Sequence, residues 1–441
     1  VVTTMTFTMM QFVDRLMVSN LGTAALAAVL PAGFIGMLPS GFLIGVLASV
    51  STFVSQSMGR GERQNCSSYC WQAVYMGFFY FAIVTAVMWP FAPAIFTAMG
   101  YTPDVVELEV VYFRITLLAD CMAVLIWACS EFFIGIHRPA IIMYASLTAQ
   151  VVNVVCNYIF IYGKFGFPAM GIAGAAWGTF AGSTVGGLMR LIMFVSGDVN
   201  AKFNSRKMMK IDFDKMKQLL KVGFPAGLEL MQNMSLWGII LCWLVSRFGK
   251  EAQAATSAAL ACASMSIVPI IGLRNALTAA VGKSIGAGHK HAATKQTLTC
   301  LRIAIAYMGF MGIFFLVFRE GLIRIWSSDS HVIALGTQVL VCAAVYQVFH
   351  ATQTIYSGAL RGAGDTLWLA MSSATGSILV LGLGGLLIVK FLPHLGPLGP
   401  WIAATLSIVT IGLTNRFRFR SNQWKHIDLF RREIVVETIE A

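Results

Sequence analysis

Charge is what this sequence has least of. Only 11% of its 441 residues are Asp, Glu, Lys or Arg, and 19 are acidic, whereas soluble globular chains carry about 25% charged residues. That scarcity excludes an ordinary water-soluble domain. A metal or redox frame is also missing. The nine cysteines, an odd number, include no Cys-x-x-Cys pair, and Cys121, Cys129, Cys156, Cys242, Cys262 and Cys342 lie within apolar runs. They read as small core residues, with no disulfide frame or metal site. No His-x-x-x-His or Asp-rich loop motif occurs, so an integral-membrane enzyme lacks the clustered nucleophile, metal set or paired carboxylates it would need. Long polar stretches are scarce too, the one of note being about 197–212.

In their place stand long apolar runs, which make up much of a chain that is 57% hydrophobic. A bilayer core takes about 20 helical residues, and twelve spans fit: about 1–19, 27–57, 67–98, 106–137, 139–163, 169–196, 213–246, 253–282, 292–317, 331–361, 367–391 and 396–415. The runs are continuously apolar, which excludes the alternation of a β-barrel. The expected fold class is an all-α integral membrane protein, twelve transmembrane helices in two pseudo-symmetric six-helix bundles. The net charge of +12 comes from basic residues between helices. Most fall on one side, among them Arg60, Arg63, Arg138, Lys202, Arg206, Lys207, Lys210, Lys283, Lys290, Arg361, Arg416, Arg418 and Arg420. The opposite side receives few, such as Lys164, Arg247, Lys250, Arg319, Arg324 and Lys390. The positive-inside bias then puts both termini in the cytoplasm. The basic excess reads as topology and as a lipid-facing charge, with no nucleic-acid partner.

The two bundles follow from an internal repeat. A shift of 227 residues lays Gly22, Ala25, Ala27 and Ala28 on Gly249, Ala252, Ala254 and Ala255, and pairs Gly45 with Gly272, Val54 with Val281, Ser57 with Ser284, Gly59 with Gly286 and Gly61 with Gly288. At nearly the same spacing, Gly135-x-x-Arg138 falls on Gly358-x-x-Arg361, and Gly171 with Ala175-Ala176 on Gly399 with Ala403-Ala404. The units are a bundle over 1–196, a polar linker over 197–212 suited to letting the halves rock, a second bundle over 213–415, and a basic cytoplasmic tail over 416–441. An even number of spans per unit gives both copies one orientation, with the pseudo-two-fold axis along the membrane normal and a central cleft between them. Pro39, Pro168, Pro225, Pro269 and Pro397 lie within or beside spans, and Pro225, four residues before an acid, is expected to bend its helix.

Four acids fall inside the spans: Asp14, Asp120, Glu131 and Glu229. A membrane carboxylate costs about 2.5–3.5 kcal/mol on insertion scales, so each wants a partner or a task. Asp14 has candidate company in Asn153 and Asn157, four apart on one helix face, and in Thr179. Those groups can share a proton or offer hard oxygens to Na+; the plain alternative is that they only tie helices together. Glu131 and Arg138 lie seven apart on one helical stripe, predicting a structural ion pair, while Asp120 on the same stripe is a second cavity acid. Glu229 opens the second half roughly where Asp14 sits in the first, with Asn233 one turn on. His350, of ordinary pKa about 6.5, can carry a proton. Abundant Phe, Tyr, Trp and Met (31, 11, 10 and 23) suit a cleft for flat amphiphilic cations.

Val13-Asp14 followed by Gly22 and Ala25–Ala28, the stretch Ser357-Gly358-Ala359-Leu360-Arg361-Gly362-Ala363-Gly364-Asp365-Thr366, and the Gly-x-Gly pairs after helices two and eight together resemble the multidrug and toxic compound extrusion family. The resemblance covers the whole chain. It implies an antiporter of a bacterial inner membrane that exports small organic compounds against inward H+ or Na+, with no organic cofactor. A monomer is expected. The resemblance also implies that Asp14, Asn153, Asn157 and Thr179 form the N-half coupling site. One branch of the family carries an acid where this chain has Asn233 and another where it has His350, so the second-half site departs from the pattern. The alternative reading is a lipid-linked precursor flippase of the same superfamily, which would present several cationic residues to the cavity; Arg15, Arg114, Arg190 and Arg274 lie inside spans.

Overall fold

The computed structural model describes residues 17–18, 23–99, 103–235, 237, 240–327 and 329–430. Asp14 and most of the first expected span therefore lie outside the described residues. Ten described helices are long and apolar enough to cross a membrane, and there is no strand among the described residues. In the first half, α1 (Thr23–Leu47) continues after a one-residue break as α2 (Ser49–Gly59), followed by α3 (Arg63–Ala98), α4 (Pro103–Gly135), α5 (Pro139–Tyr162) and α6 (Ile172–Phe194). A short α7 (Gly197–Phe203) opens the connection. The second half holds α8 (Phe213–Ser235), α9 (Leu241–Ser246), α10 (Lys250–Gly286), α11 (Lys290–Arg324) and α12 (Ser330–Ala363). Its next span is composite: α13 (Thr366–Ala374), a π-helical stretch Thr375–Gly384 and α14 (Gly385–Phe391), before the closing α15 (Leu398–Arg420).

Each half has its own apolar core. Phe53, Phe81, Phe132 and Phe194 centre one, and Leu244, Phe315, Tyr346 and Trp401 the other. Helix ends follow local chemistry. Pro139 starts α5 where its missing N–H is harmless, and Gly61 and Gly288, both at φ +80°, turn the chain after α2 and α10. Pro225 sits within α8, which continues to Ser235.

The polar connection is fastened to the first half. Trp71 Nε1 donates to the Ser205 carbonyl at 2.7 Å, the Tyr75 hydroxyl to Met209 at 2.7 Å, and Gln72 Nε2 to Lys210 at 3.0 Å. It lies against that half, because α3 supplies donors for its carbonyls.

The repeat keeps the 227 register further than its sequence motifs indicate. A Cβ added at Gly135 would meet Val54 and the Ser51 carbonyl; one added at Gly362 would meet Val281 and the Thr278 carbonyl. Each member of the second set is the first set shifted by 227. Gly135 is thus equivalent to Gly362, and the match of Gly135-x-x-Arg138 to Gly358-x-x-Arg361 is one helical turn out. The same shift takes Asp14 to Leu241, a buried apolar residue, so Glu229 is not the counterpart of Asp14.

The halves meet along a glycine seam. An added Cβ at Gly59 would strike the Lys283 carbonyl, and one at Gly286 the Gln56 carbonyl. Gln56 and Lys283 are themselves 227 apart, so the contact is self-complementary, as in a two-fold dimer. Further along, Gly45 faces the Ala226–Gly227 backbone, and Gly223 and Gly227 press on the Val46 and Phe42 carbonyls. Thr52 Oγ1 donates to the Arg361 carbonyl at 2.9 Å, and Gln56 Nε2 to Gly362 at 3.0 Å. These contacts gather toward the end of the molecule that bears Arg60, Arg138, Lys283 and Lys290, called the basic end below. Away from it, a Cβ added at Gly33 of α1 would meet nothing within 4 Å among the described residues.

Candidate functional site

A charge cluster lies beside the seam. The Arg361 guanidinium of α12 donates to the Glu229 carboxylate of α8 at 2.7 Å, with each side chain 12% exposed. Glu131 of α4, from the opposite half, lies beside Ser51 and within electrostatic reach of Arg361 and Arg274. Arg274 of α10 in turn feels Arg361, Glu229 and Glu131. Two carboxylates and two guanidiniums, drawn from both halves, thus share one cluster, with Glu229–Arg361 its ion pair. The low-dielectric setting makes such pairs costly to break singly.

Glu131 and Arg138 do not form the expected ion pair. Arg138 Nη1 instead donates to the Asp198 carboxylate. The helical stripe that joins positions 131 and 138 presumes continuous helix, but α4 ends at Gly135 and His137 turns the chain at φ +59°. Arg138 is therefore swung off the face that carries Glu131. The Asp198 carboxyl, outside the spans, is held below its ordinary range by hydrogen bonds from Arg138 and Lys202.

Asp120, also on α4, accepts from Ser40 Oγ of α1 at 2.6 Å. Its repeat counterpart is Gln347, whose Nε2 donates to Ser266 Oγ at 2.8 Å. The same helix pair is bridged in both halves, by an acid in one and an amide in the other. His350 lies on α12 one turn from Thr354, whose hydroxyl is 3.5 Å from Nδ1, and its ring is 6.3 Å from that of Tyr346. Asn233 is half-buried on α8 one turn beyond Glu229.

Asn153 and Asn157 form a separate site. Both are buried on α5, with Asn157 Nδ2 donating to Asn153 Oδ1 at 3.4 Å. Two glycines of α6 make room for them: a Cβ at Gly178 would strike Asn157 Oδ1, and one at Gly182 would lie 2.9 Å from the Asn153 Cβ. Asn153 Nδ2 has no partner among the described residues. Thr179 is not drawn into this pair, since its hydroxyl donates to Ala175 of its own helix at 3.1 Å. Met17 and Val18 pack nearby against Ile161, Ala175 and Tyr162, and the Tyr162 hydroxyl donates to the Met17 carbonyl at 3.2 Å. The amide oxygens of Asn153 and Asn157 are hard donors of the kind that hold Na+. In the second half the shift leads to Val380 and Gly384, apolar positions in the π-helical stretch.

Sequence reasoning missed Arg274, Arg361, Ser40 and Ser51 as partners. Only one signal was available for this network: carrying Asp120 through the 227 shift to Gln347.

Comparison with known proteins agrees with this architecture. The MatE family model matches residues 1–159 and 225–385, two stretches of almost equal length. A probable multidrug resistance protein NorM of Chromobacterium violaceum is 30% identical over 408 residues, covering 91% of this chain and 87% of that protein. The multidrug resistance protein MdtK of Edwardsiella ictaluri is 26% identical over 431 residues, 94% of this chain and 91% of that one. Among solved structures, a transporter of the MOP superfamily from Pyrococcus furiosus superposes with a TM-score of 0.87 at 20% identity, covering 97% of this chain and 94% of that one. An outward-facing multidrug resistance MATE transporter gives a TM-score of 0.86 at 21% identity, with 96% and 94% covered. The twelve-helix, two-bundle chain belongs to the MatE family, the multidrug and toxic compound extrusion transporters.

Proposed function

We propose that this protein is a secondary active antiporter that exports organic, cationic amphiphilic compounds in exchange for inward H+ or Na+, by alternating access. The observation that carries this reading is the seam: two halves clasped at the basic end, with a four-charge cluster shared across the clasp. By the positive-inside bias the basic end is cytoplasmic, so this is the outward-facing state. Rocking the halves apart parts Glu131 from Arg361 and Arg274, giving the conformational change an electrostatic threshold.

The coupling acid in this proposal is Asp14, three residues before the Met17–Val18 segment that packs beside the end of α5. Asn153 and Asn157 would complete the site, and Asp120 with its Ser40 donor is the second acid of the same half. Uptake or loss of one charge there is sufficient in scale, since one charge crossing 100 mV releases about 2.3 kcal/mol. The bilayer is the only other partner proposed, and the protein works as a monomer. The flippase reading is weaker, because Arg361 is paired with Glu229 and Arg190 is spent within its own half on the Gly186 and Ile142 carbonyls and the Ser146 hydroxyl.

The test is transport of a fluorescent organic cation in proteoliposomes under imposed proton or sodium gradients. Gradient-driven accumulation is expected in the wild type and is expected to be lost in Asp14→Asn. Unchanged transport in Asp14→Asn would remove that residue from the mechanism.

A further inference from the structure

The chain does not leave the second half when α15 ends. Asn422, at φ +58°, turns it into a short 3-10 helix, Gln423–His426, followed by the extended Ile427 and a turn at 429–430. The start of this segment is anchored on its own half. Trp424 is buried, stacks on Phe419 at 5.0 Å and donates Nε1 to the Phe419 carbonyl at 2.9 Å. Lys290 Nζ, at the start of α11, donates to the Lys425 carbonyl at 2.6 Å. Leu429 covers Gly364, where an added Cβ would lie 2.5 Å from its methyl carbon.

The tip of the segment is held by the other half. Asp428 accepts from Arg60 Nη2 at 2.8 Å. The same carboxylate accepts the Phe430 N–H at 3.0 Å, which fixes the turn that presents the Phe430 ring. That ring sits edge-on to Phe53 and Tyr69, at 5.9 and 6.3 Å, and the Arg60 guanidinium lies 4.2 Å from its centre. Phe53 and Tyr69 belong to the buried core of the first half, and Phe430 packs against that core. Arg60 follows directly on Gly59, a seam residue. The segment therefore bridges the two halves across the seam: it is rooted in one and plugged into the other.

We propose that residues 427–430 are a latch that holds the basic end shut and releases its tip from the Arg60, Phe53 and Tyr69 pocket each time that end opens. The latch rests on the reading that the basic end opens during the cycle. Its geometry suits a reversible fastening. One ion pair, one cation–π contact and two aromatic edges add to the seam, and all four are lost together when Phe430 withdraws, because Asp428 both binds Arg60 and positions the ring. Attachment to α15 keeps the tip close to its pocket, so re-latching is an intramolecular event with a high effective concentration.

The test is the distance distribution between spin labels at Gln64 and His291, exposed positions on opposite halves at the basic end, measured in full-length protein in lipid by pulsed electron resonance. Phe430→Ala is expected to raise the ratio of open to closed populations about tenfold, the factor that 1.4 kcal/mol corresponds to, and Asp428→Asn, which removes a half-exposed ion pair, about threefold. Arg60→Asp, which sets an anion against both the Asp428 carboxylate and the Phe430 ring, should also raise the ratio, whereas Arg60→Lys, which keeps a cation there, should leave the closed population near that of the wild type, a charge dependence that damage to folding would not give. Unchanged distances in Phe430→Ala, or the same opening in Arg60→Lys as in Arg60→Asp, would overturn the latch. The readout is independent of transport: shifted distances in a protein that carries no organic cation would leave the latch standing and sink the antiporter reading, and the converse result would do the opposite.

Discussion

Consider removing the Glu229–Arg361 pair one side at a time. The two groups meet at 2.7 Å with little solvent access, and breaking a buried pair by deleting one partner typically costs about 3–5 kcal/mol because the survivor is left uncompensated. Here Glu131 and Arg274 stand by to compensate, so Glu229→Gln and Arg361→Met should each fall near the lower figure, about 3 kcal/mol. Replacing both removes the buried contact pair together and leaves neither charge uncompensated, so the double variant should lie within about 1 kcal/mol of the wild type. The expected coupling is therefore about 5–6 kcal/mol, close to the two single effects combined. Unfolding in mixed micelles of the four proteins supplies the double-mutant cycle. If the single costs add in the double variant to within about 0.5 kcal/mol, as distant sites do, the two side chains do not interact in the folded protein. The seam and cluster account would then lose its centre.

Two further outcomes are expected. Gly59→Ala and Gly286→Ala place a methyl on the backbone of the opposite half, an overpacking that costs about 1–3 kcal/mol. Because the contact is self-complementary, the two substitutions should open the basic end to a similar degree, measured by the same spin-label pair; a large effect from only one would contradict the two-fold seam. At the same end His137, Lys283 and His289 line a cavity of about 300 Å³. Partial burial first, and the Lys283 charge second, lower the His137 pKa from its ordinary 6.5. A histidine whose folded-state pKa is depressed costs nothing above its unfolded pKa, and it destabilises the folded state as pH falls below that value, because the unfolded chain takes up the proton more readily. Thermal stability should therefore decline from pH 7 to pH 5 by more in the wild type than in His137→Gln, and identical profiles would remove His137 from the account.

The spans were legible because each apolar run exceeds the bilayer width, and the repeat because glycines that turn or touch, such as Gly59, Gly61, Gly286 and Gly288, recur where backbones demand them. The register of Gly135 was misread by one turn because Gly358 and Gly362 both stand in the same short motif, and only packing against Val281 and Thr278 separates them. Glu131 and Arg138 looked like partners on a helical stripe that the αL turn at His137 interrupts. Partners such as Glu229 with Arg361, 132 residues apart, leave no local trace. They depend on how whole helices are set against one another, and Thr179 shows the reverse case, a polar residue satisfied within its own turn.

A seam in which Gly59 faces Lys283 while Gly286 faces Gln56 is the interface a homodimer of half-chains would have. In such a dimer every acid would appear twice, and two copies would have to change charge in step. Joining the halves into one chain lifts that constraint. Asp120 can correspond to Gln347 across the axis, and Asp14 to Leu241, while the glycines between them stay matched. Fusion lets a symmetric seam carry an unequal load of charge in its two halves.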